Sequence, residues 1–235
     1  MNPLRPSLLL FLQVLSLALP ARLSTAAEPL PQPSPAATIM FDGTSLNGWE
    51  GDGKIWRVED GVITGGSLTE TTARNEFLAT IKEYGNFIVR FKIKLSGSEG
   101  FINSGFQIRS QRVPGDSEMS GYQCDFGDPS WWGCLYDESR RNKLMAQSDM
   151  KALEPVLKRG DWNDYVVRAD GRRITTWING VMGIDYTEAD PAIPQNGRMG
   201  LQVHGGGKAL VQVKGLTIEE LPPTSGSSSA PASAK

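Results

Sequence analysis

The chain has 235 residues, enough for one large domain or two small ones, and 39% of them are hydrophobic, which supports a substantial core. Its 24 basic and 26 acidic residues give a net charge of −2, without a lysine-rich run or a basic stripe. This charge pattern excludes the electrostatic footprint of a nucleic-acid-binding protein, so no nucleic acid is expected as a partner.

The first 27 residues have the pattern of a signal peptide. Arg5 precedes an apolar run over 8–19, and small residues follow over 24–27. The run is too short to span a bilayer, and no later segment is long and apolar enough to do so. We expect export to the periplasm or the extracellular space, and a mature protein that starts near Glu28 and has no membrane span. A retained N-terminal anchor is the alternative.

Composition divides the remaining chain into three parts. Residues 28–37 form a Pro-rich linker and residues 222–235 form a Ser/Ala/Pro tail, and both lack apolar periodicity and are expected to be disordered. One ordered domain therefore covers about residues 38–221. The sequence gives no basis for an oligomeric state.

The ordered domain shows strand periodicity from its first long segment onward. Residues 86–95 alternate strictly, and one face carries the apolar side chains of Phe87, Val89, Phe91, Ile93 and Leu95. Residues 164–186 predict three consecutive strands, with turns at Asp170-Gly171 and Asn179-Gly180. Residues 199–207 and 209–221 predict two more strands, and 149–153 predicts a short helix. These elements predict an all-β fold, an antiparallel β-sandwich.

Alternation also sorts the polar residues by face. In the segment GYQCDF (121–126), Tyr122, Cys124 and Phe126 share the core face, which leaves Gln123 and Asp125 pointing away together. We interpret the outward set as a polar cleft on the concave sheet, because Gln, Arg, Asp and His suit oriented recognition of hydroxyl groups. The alternative is that outward strand residues are simply polar by default.

Two other strands contribute to the same outward set. Gln107 and Arg109 lie opposite the apolar residues of their strand, and Gln202 and His204 do so in theirs. His204 is the only histidine in the chain, and its ordinary pKa near neutrality suits a general base. A histidine that only holds the following Gly-rich turn is the alternative.

The segment GDPSWWGCLYDESRR (127–141) is the most varied in chemistry. If its first part is a turn, Cys124 and Cys134 could face each other and form a disulfide, although two buried thiols are equally consistent. Trp131, Trp132 and Tyr136 are candidate contacts for sugar faces, but alternation allows only one tryptophan to face the cleft. For residues 137–141 we favour an exposed, salt-bridged loop over a rim of the site.

Several motifs occur in an order that resembles a known family. They are FDGTSLNGWEG (41–51), WRVEDGVITG (56–65), NSGFQIRS (103–110), GYQCDFGD (121–128), DWNDYVVRADGRRITTWING (161–180) and LQVHGGG (201–207). Over about residues 38–221 the chain resembles the 3-keto-disaccharide hydrolase domain family. The resemblance implies a concanavalin/laminin-G-like jelly roll in a secreted protein. The family pattern Gly-Tyr-Glu-x-Gln reads Gly-Tyr-Gln-Cys-Asp here, so amide and carboxylate are exchanged between Gln123 and Asp125.

The resemblance implies a small carbohydrate substrate, a 3-keto-glycoside. Its C3 ketone acidifies the C2 proton, so that elimination at C1 followed by hydration gives a net hydrolysis. As hypotheses, His204 or Asp125 acts as the base and Arg109 stabilises the enolate. Gln123 orients sugar hydroxyls, and Gln107 and Gln202 bind the substrate with it.

Two other functions stay open, and no cofactor is expected. A non-catalytic carbohydrate-binding module would use the same cleft and tryptophans. A retaining β-glucanase of this fold needs two glutamates that the segment Gln123–Asp128 lacks. The oxygen-rich side chains of this region lack EF-hand spacing, so we expect no metal; they are Asp125, Asp128, Asp137 and Glu138.

Overall fold

The computed structural model describes residues 28–223. The predicted signal peptide and residues 224–235 of the predicted tail lie outside the described residues. Within the described range the chain forms two antiparallel sheets and one short helix, as the strand periodicity predicted.

Sheet A has the strand order β13-β12-β11-β6-β15-β4-β3, and β1 pairs with β15. Its strands are β1 (Thr38–Ile39), β3 (Trp56–Glu59), β4 (Val62–Gly66), β6 (Phe87–Gly100), β11 (Asn163–Asp170), β12 (Arg173–Ile178), β13 (Val181–Thr187) and β15 (Gly207–Glu220). The two predicted turns join β11 to β12 and β12 to β13. Asn179 and Gly180 both have positive φ, 49° and 85°, as a tight two-residue hairpin requires.

Sheet B has the strand order β10-β9-β8-β7-β14-β5-β2. Its strands are β2 (Trp49–Glu50), β5 (Glu76–Tyr84), β7 (Asn103–Arg112), β8 (Met119–Gly127), β9 (Leu135–Glu138), β10 (Lys143–Ala146) and β14 (Gly197–Val203). Helix α1 (Met150–Leu153) follows β10, and the Asp149 side chain caps it by accepting from the Lys151 amide. In the part of the chain that is described, no helix is long and apolar enough to cross a membrane.

The main core fills the space between the two sheets. The predicted inward face of β6 and that of β8 are buried in one cluster, which confirms the assignment of faces on both strands. Phe91 stacks on Tyr165 of β11 at 5.3 Å and contacts Phe106 of β7 at 4.8 Å. Burial of each such ring stabilises the fold by about 2–3 kcal/mol. This packing fixes the position of sheet B and therefore of the side chains on its outer face.

The segment expected to be a disordered linker lies instead against the outer face of sheet A. Leu30 packs on a small cluster of Ile88, Val166 and Trp177. Arg90 donates to the carbonyl oxygens of residues 31 and 32, and the Trp177 indole donates to the Glu28 carbonyl. The segment is ordered because it removes these outward apolar side chains of sheet A from water, which is favourable.

Candidate functional site

A cleft of about 180 Å³ opens on the outer face of sheet B, at one end of its central strands. It is lined by Phe101, Asn103, Gln123, Asp125, Trp131, Tyr136, Glu138 and His204. The volume is below the roughly 300–1,000 Å³ of sites for drug-sized ligands, so the cleft suits a ligand about the size of one sugar ring.

Strand register brings these residues together. Gln123 of β8 is directly opposite Tyr136 of β9, and Gly121 is opposite Glu138. Opposed residues of antiparallel strands project to the same face, so Tyr136 and Glu138 join Gln123 and Asp125 on the outer side. His204 directly follows β14. Five side chains predicted for the site therefore line one cleft: Gln123, Asp125, Trp131, Tyr136 and His204.

Asp125 lies at the floor of the cleft and is only 2% exposed. Burial raises the pKa of its carboxyl well above the ordinary value, against a hydrogen bond from Gln123 that lowers it. Gln123 Nε2 donates to Asp125 Oδ1 at 2.7 Å, while Oδ2 has no hydrogen-bond partner among the described residues. Burial therefore favours the protonated form of Asp125, which can donate a proton or a hydrogen bond and does not suit the expected role of base.

Glu138 is a cleft residue that the sequence interpretation missed. Burial, and after it the negative charge of Glu118, raise the pKa of its carboxyl to about 7. Near neutral pH this carboxyl is thus present in both protonation states, as a proton-transfer group requires. The sequence did carry a signal for Glu138. Tyr136 and Glu138 are two residues apart and share one face of β9, so a cleft position for Tyr136 implies the same side for Glu138.

His204 presents one free ring nitrogen. Its Nδ1 lies 2.7 Å from the Gly205 carbonyl oxygen, which can only accept, so Nδ1 carries a proton. In the neutral ring Nε2 is then a proton acceptor. The rings of Phe101 and His204 meet edge to face with their centroids 4.7 Å apart, and the Asn75 side chain accepts from the Gly205 amide at 2.9 Å. The hydrogen bond to the turn and a role as base are therefore compatible.

The two tryptophans separate as alternation required. Trp131 lines the cleft and meets Tyr136 edge to face at 6.1 Å. Trp132 is 2% exposed, packs 6.2 Å from Phe126 in the core, and donates its indole N–H to Asp128. The assignment of Trp132 to the substrate-binding set is corrected, because its ring points into the sandwich.

Arg109 does not lie in the cleft, which corrects its expected role at the enolate. The β7–β8 register shifts between Ile108 and Gln111, and Arg109 has a left-handed φ of 48°, so alternation breaks at this residue. Its guanidinium donates to the carbonyl oxygens of Gly85 and Gly171 and to two side-chain oxygens, those of Asn86 and Gln195. Burial lowers its pKa to about 10. Arg109 therefore has a structural role, because its hydrogen bonds connect neighbouring loops.

Gln107 and Gln202 are on the predicted face but are fully buried beside the cleft. Gln107 Nε2 donates to Gln123 Oε1 at 3.1 Å, and Gln202 Oε1 accepts from Gln123 Nε2 at 3.3 Å. Neither lines the cleft, so their expected direct contact with a sugar is corrected to a contact with Gln123.

Cys124 and Cys134 are free, buried thiols, so the candidate disulfide is not formed. The register places Cys124 opposite Leu135 instead of Cys134. Cys124 packs in the core, while Cys134 Sγ lies 3.3 Å from the Ser130 carbonyl oxygen. Burial raises the pKa of both thiols, which makes them unreactive.

Residues 137–141 carry the expected salt bridges but do not form an exposed loop, because Asp137 is buried and Glu138 lines the cleft. Asp137 is fully buried on the inner face of sheet B and pairs with Arg140 and Arg141. Arg141 also reaches Glu188 at 2.8 Å, and both guanidinium groups lie over the Tyr122 ring. This cluster braces β9, which carries Glu138. Within residues 28–223, no group of three or more His, Cys, Asp or Glu side chains is spaced to hold a metal ion.

A two-sheet sandwich with this strand arrangement and an outer-face cleft defines a protein of the jelly-roll class. Residues 36–219 match the sequence profile of the 3-keto-alpha-glucoside-1,2-lyase-like domain. The match covers most of the chain, so the protein belongs to this family, and the resemblance stated from the motifs is confirmed. None of the curated proteins compared with the chain matches it.

Solved structures share the fold. A proposed glycosyl hydrolase from Parabacteroides distasonis is 25% identical, with a TM-score of 0.60 over 79% of this chain and 94% of that one. A second from the same organism is 20% identical, with a TM-score of 0.55 over 84% and 95%. The carbohydrate-binding module CBM66 from Bacillus subtilis is 16% identical, with a TM-score of 0.59 over 78% and 100%.

Proposed function

We propose that this protein is a carbohydrate-active enzyme that cleaves 3-keto-glycosides through a C2 enolate. One observation carries the proposal: an Asp125 whose burial favours the protonated acid, a Glu138 with a pKa of about 7 and the free Nε2 of His204 line one cleft of about 180 Å³. Family membership and the likeness to the Parabacteroides protein support carbohydrate cleavage as the reaction class.

The three groups match the three requirements of elimination. His204 Nε2 takes the C2 proton, and the electron pair moves onto the C3 oxygen. Asp125 Oδ2–H donates to that oxygen as it becomes negative, the role first expected of Arg109. Collapse of the enolate breaks the C1–oxygen bond, and protonated Glu138 gives its proton to the leaving oxygen. Water then adds its oxygen to C1 and a proton to C2, which completes a net hydrolysis.

A retaining glycosidase mechanism fits this cleft less well. It requires an ionised carboxylate nucleophile beside a carboxylic acid. Burial opposes the ionisation of Asp125, and Gln123 has no carboxylate.

A non-catalytic sugar-binding module is the second candidate function. The edge-to-face pair of Trp131 and Tyr136 at one wall of the cleft favours it, because aromatic faces bind the apolar faces of sugars. The module in the fold comparison has the same architecture.

The test uses purified protein, a 3-keto-disaccharide and the unoxidised parent sugar. The proposal expects release of the 3-keto-monosaccharide from the first substrate alone. His204→Ala is expected to lower turnover about a hundredfold or more, and Glu70→Gln, at an exposed bend, serves as the matched control. Tight binding of both sugars without turnover selects the binding module. Unchanged turnover in folded His204→Ala refutes the base assignment.

Asp125 can be tested separately as a neutral donor. Asn is isosteric and keeps an N–H donor, so Asp125→Asn is expected to retain turnover within about tenfold, whereas Asp125→Ala loses about a hundredfold or more. Equal losses in the two variants contradict the donor role, because a base or a nucleophile would be lost in both.

Export belongs to the same proposal and rests on the pattern of residues 1–27. Expression of the full chain in a bacterium, followed by N-terminal sequencing of the periplasmic or secreted fraction, is expected to give a start near Glu28. An intact N-terminus in the cytoplasm contradicts it.

A further inference from the structure

The floor of the cleft rests on a directional chain of buried polar side chains. The Ser110 hydroxyl lies 2.6 Å from Gln107 Oε1, and Gln107 Nε2 donates to Gln123 Oε1 at 3.1 Å. Gln123 Nε2 then donates to Asp125 Oδ1 at 2.7 Å and, in the other direction, to Gln202 Oε1 at 3.3 Å. All five side chains are buried, so water does not compete for these bonds.

Direction matters because each amide has one accepting end and one donating end. The Gln107 N–H draws the carbonyl end of Gln123 toward itself, which turns the Gln123 NH₂ group to Asp125. Oδ1 then accepts, so the proton of the neutral acid sits on Oδ2, the oxygen without a partner among the described residues. If the Gln123 amide were reversed, its carbonyl oxygen would face Asp125 Oδ1 and hold the carboxyl proton on that oxygen. Asp125 would then present an acceptor to the cleft instead of a donor.

Packing keeps Gln123 in this position. A Cβ on Gly105 would lie 2.3 Å from Gln123 Cγ, so the glutamine side chain lies directly over the glycine of the neighbouring strand. The Ser110 hydroxyl has one proton, and Gln107 Oε1 is closer than its two other acceptors, the carbonyl oxygens of Ile108 at 2.9 Å and Tyr122 at 3.5 Å. Ser110 thereby anchors the accepting end of Gln107.

We propose that Gln107, anchored by Ser110, is a positioning residue that sets which oxygen of Asp125 carries the proton. Because Asp125 lines the cleft, a proton on Oδ2 makes this residue a hydrogen-bond donor for the ligand, which suits a carbonyl or enolate oxygen. The identity of that ligand oxygen rests on the proposed function, but the orientation of the hydrogen-bond chain does not.

A measurement without substrate tests the orientation. Protein labelled with carboxyl-¹³C aspartate is examined by infrared spectroscopy at pH 7, and Asp125→Asn identifies the protonated carboxyl band of Asp125 by its loss. Because Gln123 donates to the Oδ1 carbonyl, Gln107→Leu is expected to shift this band to higher wavenumber as that donation weakens. Gln111→Leu, at an exposed residue of the same strand, is the matched control and is expected to leave the band in place.

Two infrared results overturn the proposal: no protonated Asp125 band in the wild type at pH 7, or an unchanged band in Gln107→Leu. If Gln107→Leu does not fold, Ser110→Ala is the second variant and is expected to shift the band in the same direction by a smaller amount. An unchanged band in that variant also overturns it.

Turnover of a 3-keto-disaccharide supplies the second arm. Gln107→Leu is expected to lower kcat by roughly 10–100-fold with KM changed less than about threefold, because a transition-state donor is misplaced. Asp125→Asn keeps its donor toward the cleft only while Gln123 is held. It is therefore expected to keep turnover within about tenfold of the wild type as a single variant, and to lose at least about a further tenfold when combined with Gln107→Leu. Equal activity of the single and the double variant refutes the positioning role. No turnover by the wild type refutes the proposed function, and the infrared arm still decides the orientation.

Discussion

Glu138→Gln is expected to stabilise the protein at alkaline pH while it lowers turnover. The pKa of the Glu138 carboxyl rises from its ordinary 4.5 to about 7 in the folded protein, first through burial and then through the charge of Glu118. Between these two values the folded state binds a proton more tightly than the unfolded state does. The free energy of unfolding therefore falls as pH rises from about 4.5 to 7.

The size of this effect follows from the same values. Each pH unit of difference corresponds to about 1.4 kcal/mol, so a wholly buried Glu138 would lose about 3 kcal/mol across the window. The side chain is only partly buried, and water screens its charge, so we expect about 1–2 kcal/mol. Glutamine stays neutral at every pH and avoids this loss.

Urea unfolding of wild type and Glu138→Gln at pH 4.5 and pH 8.5 measures the effect. The variant is expected to match the wild type at the lower pH and to exceed it by about 1–2 kcal/mol at the higher pH. Asp125 also has a raised pKa, but its contribution is common to both proteins and largely cancels. Glu70→Gln, at an exposed bend, controls for the lost charge. A stability difference that is the same at both pH values would refute the reasoning.

Three further experiments test the roles assigned to Arg109, Gln123 and the two cysteines. Arg109→Ala leaves buried carbonyl oxygens without a donor, so urea unfolding is expected to show a loss of roughly 3 kcal/mol, with kcat of the folded protein within about threefold; a lost kcat at unchanged stability would restore Arg109 to the site. Gly105→Ala puts a Cβ 2.3 Å from Gln123 Cγ, so turnover is expected to fall at least about tenfold for a stability cost of about 1–3 kcal/mol; unchanged turnover would show that Gln123 can move freely. Cys124 and Cys134 are expected to react with a thiol reagent only after unfolding, and a mass that increases on reduction would instead reveal a disulfide.

Much of the candidate site follows from strand alternation, which is local. Phe87 and its apolar neighbours had to turn inward, and by the same rule Gln123 and Asp125 had to turn outward, whatever strands lay beside them. The same reasoning placed His204 on that side and allowed one tryptophan to face the cleft. The ordered motifs were sufficient to identify the family.

Tertiary structure decided what depends on neighbouring strands and on burial. The bulge in β7 redirects Arg109, and the β8–β9 register separates Cys124 from Cys134 and places Tyr136 opposite Gln123. Glu138 and Asp125 thereby line the same cleft. Neither a bulge nor a register is written in one strand's own periodicity, because both are set by pairing with residues distant in sequence. Protonation of Asp125 and Glu138 is likewise not a property of the sequence alone. It arises because the folded sheet removes water from carboxyl groups that would otherwise ionise.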